Sequence, residues 1–144
     1  IKKYLNYNGY ASIALGAVIT VLFQSSSVTT STLVPLCASN IVDLEAAYPL
    51  TLGANIGTCI TGIMAALASK YHKKEAMQVA LAHLSFNTLG ILAFYPVPYL
   101  RNMPIKAAKY LGRKAKEHKL FPLIYTPSVF VVIPLIGFAL TQAF

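Results

Sequence analysis

Charged residues are missing from long stretches of this chain, and this limits its possible folds more than any other feature. Residues 76–100 and 120–144 contain no Asp, Glu, Lys or Arg, and residues 4–69 contain no base. About 20 consecutive apolar residues cross the ~30 Å hydrocarbon core of a bilayer, so these stretches are long enough to span one. Only 11% of the 144 residues are charged, against about 25% in soluble domains. The pattern predicts an all-α membrane protein and argues against a soluble enzyme or a disordered tail.

The bases lie between the apolar stretches rather than within them. All twelve occur at Lys2 and Lys3, within 70–74 and within 101–119, and with only four acids they leave a net charge of +8. Bases in these positions favour contact with the anionic headgroups of a lipid bilayer. Nucleic acid is not expected as a partner, because no exposed face combines bases with aromatic side chains.

The apolar segments predict five parts of one domain. Residues 9–42 hold two short apolar arms around a polar bend, which is typical of a re-entrant hairpin. Residues 47–69 form a helix with three glycines, whereas residues 76–96 and 120–144 are predicted to span the membrane. Residues 101–119 carry seven bases and one acid among apolar residues, which predicts an amphipathic helix at the membrane interface.

The bend of the hairpin is rich in hydroxyl groups. Seven of the nine residues from Gln24 to Thr32 are Ser or Thr. Single hydroxyls in membrane helices usually bond to their own backbone or pack against another helix, but this density favours a solute site. A hydroxyl can donate to a phosphate-like oxyanion, and its lone pairs can bind Na⁺.

A second motif, Gly53-Ala54-Asn55-Ile56-Gly57-Thr58, lies in the middle of the 47–69 helix. Each glycine weakens a helix by ~1 kcal/mol relative to Ala. We therefore expect the helix to break here, and a broken helix offers backbone N–H groups to an anion and free carbonyls to a cation. Since no base lies nearby, an anion bound here would depend on N–H dipoles, hydroxyls and co-bound cations.

Together these motifs closely resemble the type II sodium-dependent phosphate cotransporters. The likeness includes Gln24-Ser25-Ser26-Ser27-Val28, the stretch AYPLTLGANIGT at 47–58, the stretch AALAS at 65–69 and Tyr95-Pro96-Val97-Pro98. The resemblance implies an inverted-repeat transporter in which each of two repeats holds a QSSS hairpin. This chain matches the second, C-terminal repeat over residues 1–144.

The resemblance further implies sodium-coupled symport of inorganic phosphate by alternating access, in a multi-pass protein of the plasma membrane. Na⁺ is the expected coupling ion, and no other cofactor is expected. The phosphate ligands implied are Gln24, Ser25, Ser26 and Ser27. The sodium ligands implied are Gln24, Ser26, Asn55, Thr58 and Thr61. Many relatives have Ser in place of Ala54 and Thr in place of Cys59, and Ala54 removes one possible cation ligand.

Only one QSSS motif is present, so half of the family's site must come from elsewhere. The chain begins at Ile1 rather than Met, which favours a piece of a longer protein that carries the first repeat. A second copy acting as a dimer, or a separate partner half, is the alternative.

Other functions remain open at this stage. A sodium-independent channel or a transporter of another small anion would also use interrupted helices and hydroxyls, and a non-transporting membrane subunit is the third alternative. Enzymatic activity is not expected, because His83 is the only histidine within the predicted spans and no GxSxG turn accompanies it. His83, Asp43 and Glu45 are interpreted mainly as structural residues.

Overall fold

The computed structural model describes residues 8–142, and every regular element in that range is a helix. The described part of the chain divides into two compact units, which meet in sequence between Ile105 and Lys106. The elements in chain order are α1 (Gly9–Phe23), α2 (Ser26–Ala38), α3 (Leu44–Ala68), α4 (Lys73–Phe94), α5 (Pro98–Glu117), α6 (Phe121–Pro127), a π-helical turn (Ser128–Val132) and α7 (Ile133–Gln142).

Within residues 8–142, three helical stretches are long and apolar enough to cross a membrane. They are α3 with 25 residues, α4 with 22 and the stretch from α6 to α7 with 22. At 1.5 Å per residue, each is about 33 Å long or more, which exceeds the ~30 Å hydrocarbon core. Helices α1 and α2, with 15 and 13 residues, reach only about 20 Å. The described part of the chain therefore has the all-helical fold of an integral membrane protein.

Three helices begin earlier than the sequence predicts. Helices α3, α4 and α5 each start three residues before the predicted segments 47–69, 76–96 and 101–119. Pro98 can open α5 because the first amides of a helix need no intrahelical acceptor. The predicted segment 120–144 corresponds to the helical stretch Phe121–Gln142, and its last two residues lie outside the described part of the chain.

Helix α3 is continuous through its glycine motif, so the break predicted at Gly53–Thr58 is wrong. No glycine in residues 8–142 has a positive φ. The reason is tertiary, since the two glycines make room for α1. A Cβ at Gly53 would overlap the carbonyl of Ile13, and a Cβ at Gly57 would overlap the carbonyl of Ala17. Small residues let membrane helices approach closely, and this packing offsets the ~1 kcal/mol that each glycine costs in propensity.

Small side chains continue on both sides of the contact between α1 and α3. Gly16 of α1 lies against the backbone of Leu50, where a Cβ would overlap the Leu50 carbonyl. Ser12 and Ala54 are almost completely buried in the same unit. Near the start of α3, a second cluster joins it to α2 and consists of Val42, Ala46, Ala47 and Leu50, with Leu33, Leu36 and Cys37 packed on them.

An aromatic cluster joins the start of α1 to the end of α4. Tyr95, which follows α4, is only 3% exposed. Its ring meets the ring of Tyr10 edge to face at 5.2 Å, and the guanidinium of Arg101 lies 5.4 Å from the ring centre. Gly9 lies beside the Tyr95 hydroxyl, and any side chain at position 9 would overlap that hydroxyl. The first turn of α1 can therefore contact Tyr95 only because residue 9 is glycine. These contacts hold α1 at its N-terminal end as the glycine contact holds its middle.

The glycine contact predicts opposite results for two alanine substitutions in α3. We expect Gly53→Ala to destabilise the protein by about 1–3 kcal/mol, because the new methyl group forces α1 away. We expect Gly62→Ala to be neutral or stabilising by up to about 1 kcal/mol, since nothing lies within 4 Å of a Cβ there. Melting temperatures of the purified proteins in the same detergent measure both. Equal effects at the two positions would contradict the close contact.

Candidate functional site

The helical backbone is interrupted at Gln24 and Ser25, between α1 and α2. Gln24 ends α1 with a left-handed backbone, at φ 53°. Ser25 is the N-cap of α2, and its Oγ accepts a hydrogen bond from the N–H of Val28 at 3.3 Å. The carbonyl end of one helix and the amide end of the next therefore meet within two residues. The helix is thus interrupted in this hairpin, where the sequence also predicted a bend, and not in α3.

The amide end of α2 is rich in hydrogen-bond donors. First-turn amides have no acceptor inside their own helix, so the N–H groups of Ser26 and Ser27 are available to a ligand. Across residues 8–142, the hydroxyls of Ser26 and Ser27 donate to no protein acceptor. Free amides, free hydroxyls and the positive end of the helix dipole form a suitable environment for an oxyanion.

The threonines nearby have already used their hydroxyl protons. In α2, Thr29 donates to the carbonyl of Ser25 at 3.1 Å and Thr30 to that of Ser26 at 2.8 Å. In α3, Thr58 donates to the carbonyl of Ala54 at 3.0 Å and Thr61 to that of Thr58 at 2.8 Å. A hydroxyl has one donor and two acceptor lone pairs, so each of these threonines presents only acceptors to a ligand. Such oxygens suit a small hard cation rather than an anion.

Two of the predicted sodium ligands line one cavity. A space of about 280 Å³ lies between the hairpin and α3 and is lined by Gln24, Thr61, Met64 and Ala65. Gln24 can contribute its amide oxygen and Thr61 its hydroxyl lone pairs. The structure thus brings a residue of the hairpin and a residue of α3 to one place, although they are 37 positions apart in the chain.

The structure places Asn55 on a different face of α3. Asn55 is exposed and lies on the side of the helix opposite Gly53 and Gly57, which face α1. Thr51 and Thr58 are four residues before it and three residues after it, so the three polar side chains form one stripe along the helix. The predicted site residues therefore form two groups, one around the hairpin and one on the outer stripe of α3.

Thr20 is an important residue that the sequence reasoning missed. It is completely buried, and its hydroxyl donates to the Thr29 hydroxyl at 3.0 Å, which in turn donates to the carbonyl of Ser25. Its side chain also lies against Gly57. This arrangement links α1, the first turn of α2 and α3 at the level of the hairpin bend. One sequence feature could have indicated this role: Thr20 lies four residues before Gln24, so the two side chains lie on the same face of a helix.

Ala54 and Cys59, the two positions at which the family resemblance implied other residues, are both buried. Ala54 is 0% exposed, and a residue at that position faces the protein interior rather than the outer stripe. Cys59 is 1% exposed, and its sulfur accepts a hydrogen bond from the amide of Asn87 in α4 at 3.5 Å. The same amide also donates to the carbonyl of His83, four residues earlier in α4.

Comparison with known proteins identifies the family. A profile described as Na⁺/Pi-cotransporter matches residues 1–108, three quarters of the chain. The chain belongs to the Na⁺/Pi-cotransporter family. Sodium-dependent phosphate transport protein 2A of Ovis aries is 46% identical to it over 94% of the chain. Sodium-dependent phosphate transport protein 2B of Bos taurus and of Homo sapiens are each 46% identical, over 98% and 99% of the chain.

These relatives are much longer proteins. The chain spans about a fifth of their length, 21% for the Ovis aries protein and 22% for the other two. No solved structure matches the chain. The resemblance read from the QSSS and glycine motifs is confirmed for the family, while the roles of individual site residues stay predictions.

The buried threonine pair predicts a selective loss of stability. We expect Thr20→Val to lower the free energy of unfolding by about 1 kcal/mol, because it removes one buried hydrogen bond with little change in volume. Thr32→Val is the matched control, since Thr32 is exposed and bonds only to the carbonyl of Val28 in its own helix. Thermal unfolding in detergent compares them, and a Thr20→Val protein as stable as the control would show that the pair contributes nothing.

Proposed function

We propose that this chain is one repeat of a sodium-coupled symporter of inorganic phosphate. Its membership of the Na⁺/Pi-cotransporter family supports the proposal, as do the sodium-dependent phosphate transport proteins that are 46% identical to it. The main structural support is the hairpin. There, serine N–H and O–H groups that are free to donate lie beside threonine oxygens that can only accept, because their protons already bond to backbone carbonyls. An anion and a cation can be bound there together.

Phosphate binds at the start of α2 in this proposal. Gln24, Ser25, Ser26 and Ser27 surround the amide end of the helix, and they offer N–H, O–H and amide donors to phosphate oxygens. No Lys or Arg occurs within residues 4–69, so the hairpin and α3 contain no cationic side chain that could balance the dianion. In this proposal, sodium ions supply the positive charge that offsets the phosphate dianion, so phosphate transport requires sodium.

Sodium binds to oxygens whose protons are already used. Thr58 and Thr61 present lone pairs only, and the amide oxygens of Gln24 and Asn55 are also acceptors. Ser26 can bind either ion because its hydroxyl can still donate a hydrogen bond to phosphate and can offer lone pairs to sodium. The cavity between Gln24 and Thr61 is the position best supported for one sodium ion. Asn55 and Thr58, on the outer stripe of α3, contribute to another.

A second half completes the site. Asn55 is exposed, and a space of about 520 Å³ beside α2 is lined by Ser27, Val28, Ser31, Thr32 and Pro35. Polar residues on the outside of membrane helices are expensive unless protein or water covers them. We propose that the first inverted repeat, present in the longer protein, covers this surface. A second copy of the chain is the alternative source.

Transport follows an alternating-access cycle in this proposal. Sodium binds first and creates the positive field in which phosphate binds. The short helices α1 and α2 form a re-entrant hairpin that reaches only part of the way across the bilayer, which leaves the bend at Gln24 within the membrane. Movement of the two repeats relative to each other then exposes the loaded site to the other side of the plasma membrane.

Uptake of radiolabelled phosphate tests the function directly. We expect vesicles that contain the longer native protein to take up phosphate saturably in sodium medium and not in choline medium. The 144-residue chain alone is the comparison, and uptake by it would indicate a site built by two copies. Uptake that does not saturate, or that is equal in choline, would indicate a channel or another anion transporter. No uptake by either protein would favour a non-transporting subunit.

Substitutions within the longer protein test the residues. We expect Gln24→Ala and Ser26→Ala to abolish uptake, because each removes a ligand from both ions, while membrane insertion stays normal. We expect Thr61→Val to raise the sodium concentration for half-maximal uptake about tenfold, since one lost ligand weakens binding by ~1.4 kcal/mol. Ser39→Ala, at the far end of α2, is the control and should transport normally. Normal uptake by both Gln24→Ala and Ser26→Ala would refute the site assignment.

A further inference from the structure

Bases lie along one face of the part of α5 that belongs to the second unit of the chain, from residue 106 to residue 117. Lys106, Lys109, Arg113 and Lys116 are separated by three, four and three residues, which places them one above another on a helix. They extend over ten residues, or about 15 Å at 1.5 Å per residue. We call these four residues the basic stripe.

The opposite face of the same segment is apolar. Ala108, Leu111 and Ala115 repeat at intervals of three and four residues and lie across the helix from the basic stripe. The other two bases of the second unit lie outside the basic stripe. Lys114 pairs with Glu117 at 3.2 Å, and Lys119 lies beyond the end of the helix. The segment therefore has the two-sided pattern of a helix that lies in a membrane surface.

The short connection after α5 indicates that this surface belongs to the bilayer that the next helical stretch crosses. Helix α5 ends at Glu117, and the span Phe121–Gln142 begins four residues later, so the two ends are at most about 14 Å apart. The rings of Phe121 and Tyr125 stack at 5.5 Å in the first turn of that span, where aromatic residues typically mark the interface. The basic stripe is thus held close to the headgroups of the bilayer that the span crosses.

We propose that the basic stripe binds the headgroups of anionic phospholipids in the membrane that this chain spans. Four bases on one face complement a negatively charged surface, and each base near such a surface strengthens binding about fivefold. The apolar face enters the boundary between headgroups and acyl chains, which turns the stripe toward the phosphates. This binding does not depend on phosphate transport or on the hairpin site.

The absence of tryptophan from the sequence allows a direct measurement. Leu111→Trp introduces a single tryptophan on the apolar face of α5. The 144-residue chain is placed in lipid nanodiscs that contain, at equal mole fraction, either phosphatidylserine or phosphatidylcholine with brominated acyl chains. Brominated lipid quenches tryptophan fluorescence at short range, so the ratio of the two quenching curves gives the preference for the anionic lipid beside this helix.

Two double variants with the same loss of charge separate the basic stripe from net charge. Lys109→Gln with Arg113→Gln removes two bases of the basic stripe, and Lys70→Gln with Lys114→Gln removes two bases outside it. We expect the first pair to reduce the preference for phosphatidylserine by up to about 25-fold, about fivefold for each base, and the second pair to leave it nearly unchanged. The preference of the parent chain should also fall in high salt, because salt screens the charges.

Several results would overturn the proposal. Equal losses in the two double variants would mean that only net charge acts, and no preference for phosphatidylserine in the parent chain would mean that the stripe has another partner, such as an acidic protein. Competition by soluble inorganic phosphate at constant ionic strength would indicate a site for a free anion instead of a lipid surface.

Discussion

The close contact between α1 and α3 is the interaction on which the rest of the first unit depends. Gly16, Gly53 and Gly57 bring the two backbones together, so that carbonyl groups of one helix lie where side chains of the other would be. The gain is dispersion between many atoms at short distance, which is the main force between helices in lipid. Because α1 is held along its length, its last turn and Gln24 have a defined position beside α3.

The distribution of hydroxyl protons gives the hairpin its chemistry. Ser and Thr both have a hydroxyl side chain, yet the hydrogen bonds that they can make to a ligand differ here. The threonines donate to backbone carbonyls, whereas the two serines after the N-cap do not. A group that has used its proton can only accept, and acceptors attract cations. Anion-binding and cation-binding positions can therefore lie a few residues apart without any charged side chain.

Glycine shows where local reasoning succeeds and where it fails. The low helix propensity of the Gly53–Thr58 motif is real, and it led to a predicted break in α3. The helix is continuous because the same missing Cβ that weakens a helix in isolation permits contact with α1 when the chain is folded. The hairpin bend was predictable, since short apolar arms and a hydroxyl-rich run indicate an interruption from sequence alone. The role of Thr20 in supporting the bend could not be predicted from the sequence, because a single threonine in an apolar helix usually bonds to its own backbone or only fills space.

The sequence by itself determined the class of this protein, the approximate positions of its helices and its family, because charge-free stretches, helix-terminating residues and the QSSS and glycine motifs are local features. Only the tertiary structure decided that the glycines join two helices, that Thr20 supports the bend, and that Gln24 and Thr61 share a cavity while Asn55 faces outward. The physical reason is that a residue's conformation and free hydrogen-bonding groups depend on what packs against it. Residues far apart in the chain supply those neighbours.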